Sequence, residues 1–349
     1  NVLQTKTEQD VSHLWAQTRK MDFHVCCALT YSFYKNNELL NVNPTKIEKE
    51  KVAGFSVGTD VRIGDTVCLN KYVAIISSLN HPREELTSRA CMLARAAKVK
   101  GWNKLFDEHT AVWEAKWLQS DVIIDGDVAA QQAIRFNIFQ LNQSYNGNDA
   151  RLNISPKGFT GEKYAGATRW DTEAICVPFY LCTSPQKVAK NLLLYRYRHL
   201  TKAIRNAEKL GFTNGAALFP VATFNGTETY NEWEVTFEEV HRNGIIAFAI
   251  YNYVRYTGDQ NFLNEYGLRV LIAISRFWSQ RVNISTEKKK YVLLGVTGPN
   301  IYENNVNNNW FTNYIASWTL QYTIECIENI KKSNFHVFED LCQEIKFVN

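Results

Sequence analysis

Residues 156–173 read Pro156-Lys-Gly-Phe-Thr-Gly-Glu-Lys-Tyr-Ala-Gly-Ala-Thr-Arg-Trp-Asp-Thr-Glu173. Three glycines, Gly158, Gly161 and Gly166, mark a loop whose backbone can turn tightly or come close to a ligand. The stretch ends on Arg169, Trp170, Asp171 and Glu173, and the chain then turns apolar from Ala174 to Cys182. Residues 129–145, upstream, have helical periodicity. A helix, a long polar loop and a second helix is therefore the unit on which the chain is built. A Trp face beside a carboxylate suits a sugar, because the ring packs on an apolar C–H face and the carboxylate accepts hydroxyl protons. A packed Trp and an Asp at a helix start account for the same residues equally well.

Outward from this loop, the same alternation continues. Residues 186–210 place Val188, Leu192, Tyr195, His199, Ala203, Ile204 and Ala207 at helical spacing and stop before Gly211, a good residue for the end of a helix. Helices are also expected over 173–182, 234–256, 261–282, 312–331 and 335–348, about seven in all with 129–145. Asp127 is a plausible N-cap for the first of them. This pattern predicts a toroid of helix hairpins, and the chain ends before such a toroid would close.

The chain before residue 126 has a different character. Much of 1–82 reads as strands: 51–57, 60–63 and 66–69 are short segments broken by Gly54, Gly58 and Gly64, and 72–78 holds a β-branched run. We expect the late strands of a β-sandwich, with its earlier strands missing. From residue 84, Leu86, Ala90, Leu93 and Ala97 recur at spacings of three and four and stop at Gly101. A second helix over 102–120 follows, so 83–125 is expected to be a helical linker.

Composition narrows the function classes. The 349 residues suffice for about two domains. Net charge is +4 with no long basic run, which argues against nucleic acid as a partner. No apolar stretch approaches the roughly 18 residues of a membrane span. Aromatic residues reach 13%, including nine Trp, which suits a carbohydrate site and large helical cores alike. Eight scattered Cys form no CxxC pair and no cluster with His, so they read as free thiols in a reducing, cytoplasmic compartment. No metal site is expected.

Two further loops carry candidate chemistry. Residues 219–241 hold five carboxylates between Glu228 and Glu239, together with Trp233. Glu234 and Glu238, four apart, share a helix face, while Glu238 and Glu239 also read as simple helix-dipole complements. Residues 295–313 contain seven Asn, good partners for sugar hydroxyls but also common caps and turns. His199 and His241 read as structural histidines without metal-spaced partners.

Four segments together resemble the inverting α-glucoside phosphorylases of glycoside hydrolase family 65. They are Gln131-Gln-Ala-Ile-Arg-Phe-Asn-Ile-Phe-Gln140, the loop of 156–173 with Trp170-Asp-Thr-Glu173, Asn231-Glu-Trp-Glu-Val-Thr-Phe-Glu-Glu239, and Val306-Asn-Asn-Asn-Trp-Phe-Thr-Asn313. The resemblance implies the end of an N-terminal β-sandwich over 1–82, a helical linker over 83–125 and the first part of an (α/α)₆ barrel over 126–349, mainly α overall. It implies attack of inorganic phosphate, the co-substrate, on an α-glucoside such as maltose, giving β-glucose 1-phosphate and glucose, with no metal or organic cofactor. It also implies a homodimer. Trp170 and Asp171 look like the family's glucose-binding pair, and Trp233 and Glu234 resemble residues beside the same pocket. The chain departs from the family in the third loop. Relatives carry Gly-Pro-(Asp/Asn)-Glu-Tyr there, with the Glu as general acid, whereas this chain reads Gly298-Pro-Asn-Ile-Tyr302. Ile301 cannot donate a proton, and Glu303, roughly 6–7 Å further along an extended loop, is a weak substitute. Two alternatives follow: a sugar-binding scaffold that lost its acid, or a hydrolase of the same family.

Overall fold

A computed structural model describes residues 1–19, 22–155, 158, 166–230, 233–300 and 302–345. The chain divides into two compact units, Asn1–Ala115 and Lys116–Asn349.

The first unit is an antiparallel sheet with a helix on it. β1 (Val2–Thr7), β2 (Ser12–Gln17), β3 (His24–Lys35) and β4 (Glu38–Leu39) pair in that order, and β7 (Val67–Ser77) pairs with the other side of β3. β5 (Thr45–Lys49) and β6 (Val52–Ser56) make a separate hairpin, held to β1 where Thr7 Oγ1 donates to the Ile47 carbonyl at 2.9 Å. Burial alternates residue by residue along β3, the period of a strand. Two expectations change here. Residues 60–63 are not a strand, and the segments expected at 66–69 and 72–78 are one strand, because β7 pairs β3 continuously from Ser77↔Val25 to Val67↔Lys35.

Helix α1 (Leu86–Lys100) packs on β2, β3 and β7. Its buried face is Leu86, Ala90, Cys91 and Ala94, against Val11, Cys26, Ala28 and Ala74. Leu93, expected in that face, is exposed. Small side chains on both surfaces let helix and sheet approach closely, and that close approach turns the helix toward Cys91 and Ala94 rather than toward Leu93 and Ala97. Gly101, at φ 81°, ends α1 as the sequence predicts. α2 (Trp102–Ser120) follows, with Trp102 and Phe106 stacked on one side.

The second unit is helical. Asp127 caps α3 (Val128–Ser144), its Oδ1 accepting the Ala130 amide at 2.9 Å. α4 (Val177–Thr183) continues a wide helical turn over Thr172–Cys176. Then come α5 (Gln186–Arg198), α6 (Leu200–Glu208), α7 (Trp233–Glu238), α8 (His241–Thr257), the single turn α9 (Gln260–Phe262), α10 (Leu268–Arg281), α11 (Trp310–Ser333) and α12 (Phe335–Glu344). The strand pairs described among them, β8 (Thr168–Arg169) with β9 (Ala222–Thr223) and β10 (Asn283–Ser285) with β11 (Lys290–Val292), are antiparallel. α8 is buried almost all round, between α4, α5, α10 and α11, as expected of a helix at the centre of a bundle.

Among the described residues nine continuous helical runs begin at or after Val128, where about seven were expected. The expected helix at 186–210 breaks at His199, whose φ −101° and ψ 9° separate α5 from α6. The expected helix at 234–256 breaks at Glu239 and Val240. There the Arg242 guanidinium takes up carbonyls of Phe219, Thr236 and Glu239, so the broken turn keeps its acceptors satisfied. The expected helix at 261–282 is one unbroken run, α9 passing through the wide turn Leu263–Gly267 into α10.

Candidate functional site

Trp170 and Asp171 are fixed from both sides. On one side Arg169 belongs to β8 and pairs with Ala222 of β9, which joins the first long loop to the second. On the other, Glu173 is fully buried and paired with Arg196 of α5, at 2.7 Å from Nε to Oε1 and 2.8 Å from Nη2 to Oε2. Arg196 Nη2 also donates to the Arg169 carbonyl at 3.1 Å, so one guanidinium spans the two residues that flank the pair. The Arg169 guanidinium in turn lies 5.1 Å from the Tyr230 ring. Burial raises the Asp171 carboxyl above its ordinary value, with Arg169 offsetting part of the effect.

The carboxylates of the second loop have separate tasks. Glu228 accepts the amides of Val221 at 2.7 Å, Ala222 at 3.2 Å and Tyr230 at 3.0 Å, folding its own loop. Glu238 reaches the third loop instead: Oε2 accepts the Thr297 hydroxyl at 2.7 Å and the Asn305 amide at 3.0 Å. Glu238 and Glu239 are both buried, so neither is merely a solvated complement to a helix dipole.

His241 is where the three loops meet. Its ring lies edge-on to Trp170 at 5.0 Å and to Phe311 at 5.9 Å. Its Nδ1–H donates to the Thr297 carbonyl at 3.2 Å. Burial first, and then Arg242, hold the imidazole neutral, with the pKa pulled down to about 4. Burial raises the neighbouring Glu239 carboxyl, against the attraction of Arg242 and Arg169.

Of the residues singled out from sequence, Trp170 and Asp171 lie beside the β8–β9 pairing, with Trp170 against His241. Glu234 stands exposed in the first turn of α7. Trp233 opens α7 by its backbone, and its side chain lies outside the described residues, as does Ile301. The Glu303 amide donates to the Asn300 carbonyl at 3.1 Å, and Tyr302 is exposed. The Asn-rich stretch bears out the turn-and-cap reading at Asn309, which caps α11 by accepting the Thr312 amide at 3.1 Å. Sequence reasoning missed the roles of Glu239, His241 and the Glu173–Arg196 pair. The available signal was the polar run Glu238, Glu239, His241, Arg242 and Asn243 at the entrance to an otherwise apolar helix. Among the described residues no group of three His, Cys, Asp or Glu could hold a metal ion, and no helix is long and apolar enough to cross a membrane.

Comparison with known proteins places both units. Residues 1–116 match the family described as glycosyl hydrolase family 65, N-terminal domain, and residues 135–348 match the glycosyl hydrolase family 65 central catalytic domain. The chain is similar to the maltose phosphorylase of Bacillus subtilis, 56% identical over 75% of this chain and 34% of that protein. It is also similar to the alpha,alpha-trehalose phosphorylase of Thermoanaerobacter brockii, 33% identical over 90% of this chain and 40% of the relative. A solved structure of a putative kojibiose phosphorylase from human microbiome superposes with a TM-score of 0.86 at 26% identity, covering 100% of this chain and 45% of that one. The chain thus spans between a third and a half of the length of these proteins.

Proposed function

The chain belongs to glycosyl hydrolase family 65, and from that premise we propose that it is part of a disaccharide phosphorylase of the maltose phosphorylase type. The reaction is inverting phosphorolysis: an α-glucoside, maltose by preference, and inorganic phosphate give β-glucose 1-phosphate and glucose. A carboxylic acid protonates the leaving oxygen while phosphate attacks the anomeric carbon from the opposite face. No metal or organic cofactor takes part. Residues 1–82 are the end of a β-sandwich, 83–125 a helical linker and 126–349 the first part of an (α/α)₆ barrel. The protein works as a cytoplasmic homodimer.

In this reading the Trp170 face packs on the C–H face of the glucosyl unit and Asp171 accepts its hydroxyl protons, with Trp233 and Glu234 beside the same pocket. The observation that carries the reading is the buried Arg196–Glu173 pair that fixes Trp170 and Asp171 from both sides. A sugar platform needs that rigidity, because orientation is what binding contributes to the chemistry.

Ile301 supports a second reading for the chain as it stands. Loss of a general acid costs about 10²–10⁴-fold in rate, which leaves a sugar-binding scaffold. One experiment separates the readings: Ile301→Glu in a chain of the relatives' full length, following glucose release from maltose with and without phosphate. Phosphate-dependent release restored by the substitution is the expected result. Equal release without phosphate would make the protein a hydrolase, and no release with glucose still bound would leave the scaffold.

A further inference from the structure

A cleft of about 710 Å³ opens among α5, α6, α10 and the end of α12. Small-molecule sites have this size, about 300–1,000 Å³. Its charged lining is Arg198, Arg269, Arg276 and Glu344, three cations and one anion. Arg269 and Glu344 neutralise each other, with Nε 3.0 Å from both carboxylate oxygens. Arg269 Nη1 is also spent, on the carbonyls of Asn264 at 3.0 Å and Glu265 at 2.8 Å. The two other arginines remain for the cleft. Arg276 is half-buried and donates Nη2 to the Ile345 carbonyl at 2.9 Å. Among the described residues its guanidinium makes no ion pair and no further hydrogen bond. A cation drawn out of water without a counter-ion costs free energy. A Cβ at Gly215 would lie 2.9 Å from Arg276 Nη1, so the glycine is what lets the guanidinium rest against the backbone there. Arg198, the last residue of α5, is exposed, and its charge also acts on Asp149, which Arg151 already pairs. Ile204, Ile272 and Ala273 line the cleft with carbon.

We propose that this cleft binds a sugar-sized phosphate monoester, its phosphate on Arg276 and Arg198 and its carbon frame on Ile204, Ile272 and Ala273. Two unneutralised cations match the charge of a phosphate monoester near pH 7, about −1.5 to −2. A planar guanidinium with free donors fits phosphate oxygens in pairs. The carbon-lined remainder of the cleft leaves room for an organic frame that bare phosphate lacks. None of Trp170, Asp171 and His241 lines the cleft, so the inference stands apart from the phosphorolysis reading.

Isothermal titration calorimetry of the unmodified chain with glucose 6-phosphate and with inorganic phosphate tests this. Glucose 6-phosphate binds the more tightly of the two, and less tightly as salt rises. Arg276→Ala weakens its binding about 10-fold or more, the loss expected for hydrogen bonds to a charged group. Arg276→Lys keeps the charge without the planar fork and loses less. Arg198→Ala, at an exposed position, also weakens binding and covers the case of an Arg276 variant that does not fold. Undiminished affinity in a folded Arg276→Ala or in Arg198→Ala overturns the inference, and so does an unmodified chain that does not bind glucose 6-phosphate. Inorganic phosphate bound as tightly as glucose 6-phosphate overturns the assignment of an organic frame. Trp170→Ala locates the ligand: its affinity for glucose 6-phosphate is expected to be unchanged, and a loss there as large as that in Arg276→Ala would put the sugar phosphate at Trp170 and overturn the cleft.

Discussion

Replacing Glu173 by Ala leaves the Arg196 guanidinium buried and without its carboxylate. The side chains of the pair are 2% and 0% exposed, so solvent does not screen it. Burial opposes the charge on Arg196, yet Glu173 more than offsets it and raises the guanidinium above its ordinary value, so the pair stays ionised. Removing one partner of such a pair costs about 3–5 kcal/mol. For a unit the size of residues 116–349, about 2 °C of Tm per kcal/mol converts this to a fall of roughly 6–10 °C. The effect is also local. Arg196 holds the Arg169 carbonyl, so the Thr168–Thr223 ladder should exchange its amides faster and Trp170 should lose its fixed position. Replacing both partners with apolar residues of similar volume should recover most of the stability, because no charge is then stranded, but it should not recover sugar binding. Thermal unfolding by circular dichroism, hydrogen exchange at 168–169 and glucose affinity measure the three effects. A Tm fall under about 2 °C for Glu173→Ala, worth only about 1 kcal/mol, would refute the account of the pair as the clamp of the site.

Two further outcomes follow from burial in the helical unit. A Cβ at Gly244 would meet Ile315 Cγ1 at 2.4 Å, so Gly244→Ala should destabilise the α8–α11 contact by about 1–3 kcal/mol, with Ile315→Val on the same chain restoring part of it; denaturant unfolding with no shift in midpoint would contradict this. His241 and His199, each pulled down to about 4 mainly by burial, are neutral when folded and take up protons when unfolded below about pH 6.5. The unfolded state therefore binds more protons as pH falls, and stability contributed by these rings is complete above about 6.5 and lost toward 4. Between pH 6.5 and 5, above the range of the paired carboxylates, His241 alone should cost roughly 2 kcal/mol and the less buried His199 somewhat less. A stability profile flat across that window would show that the rings are not held neutral.

Much of the architecture was legible in the sequence, since it depends on neighbours within a turn or two. Helical periodicity, the Asp127 cap and the Gly101 stop all act within four residues along the chain, and the structure keeps them. The Trp170–Asp171 pair stood out because a Trp beside a carboxylate after a glycine loop has meaning as a local pattern. Tertiary structure decided what depended on distant partners. Glu173 meets Arg196 across 23 positions, Glu238 meets Thr297 across 59, and His241 meets the same Thr297 across 56. Nothing local distinguishes those carboxylates from the acids that commonly begin a solvated helix, as Glu234 does on the exposed side of α7. The breaks at His199 and at Glu239–Val240 have the same origin. Helix propensity alone favours continuing through both. The carbonyls freed at the second are taken up by Arg242, whose burial depends on α8 being enclosed by α4, α5, α10 and α11. Burial turns a charged residue from a surface ornament into a connector, because a buried charge must find its partner wherever the fold has brought one.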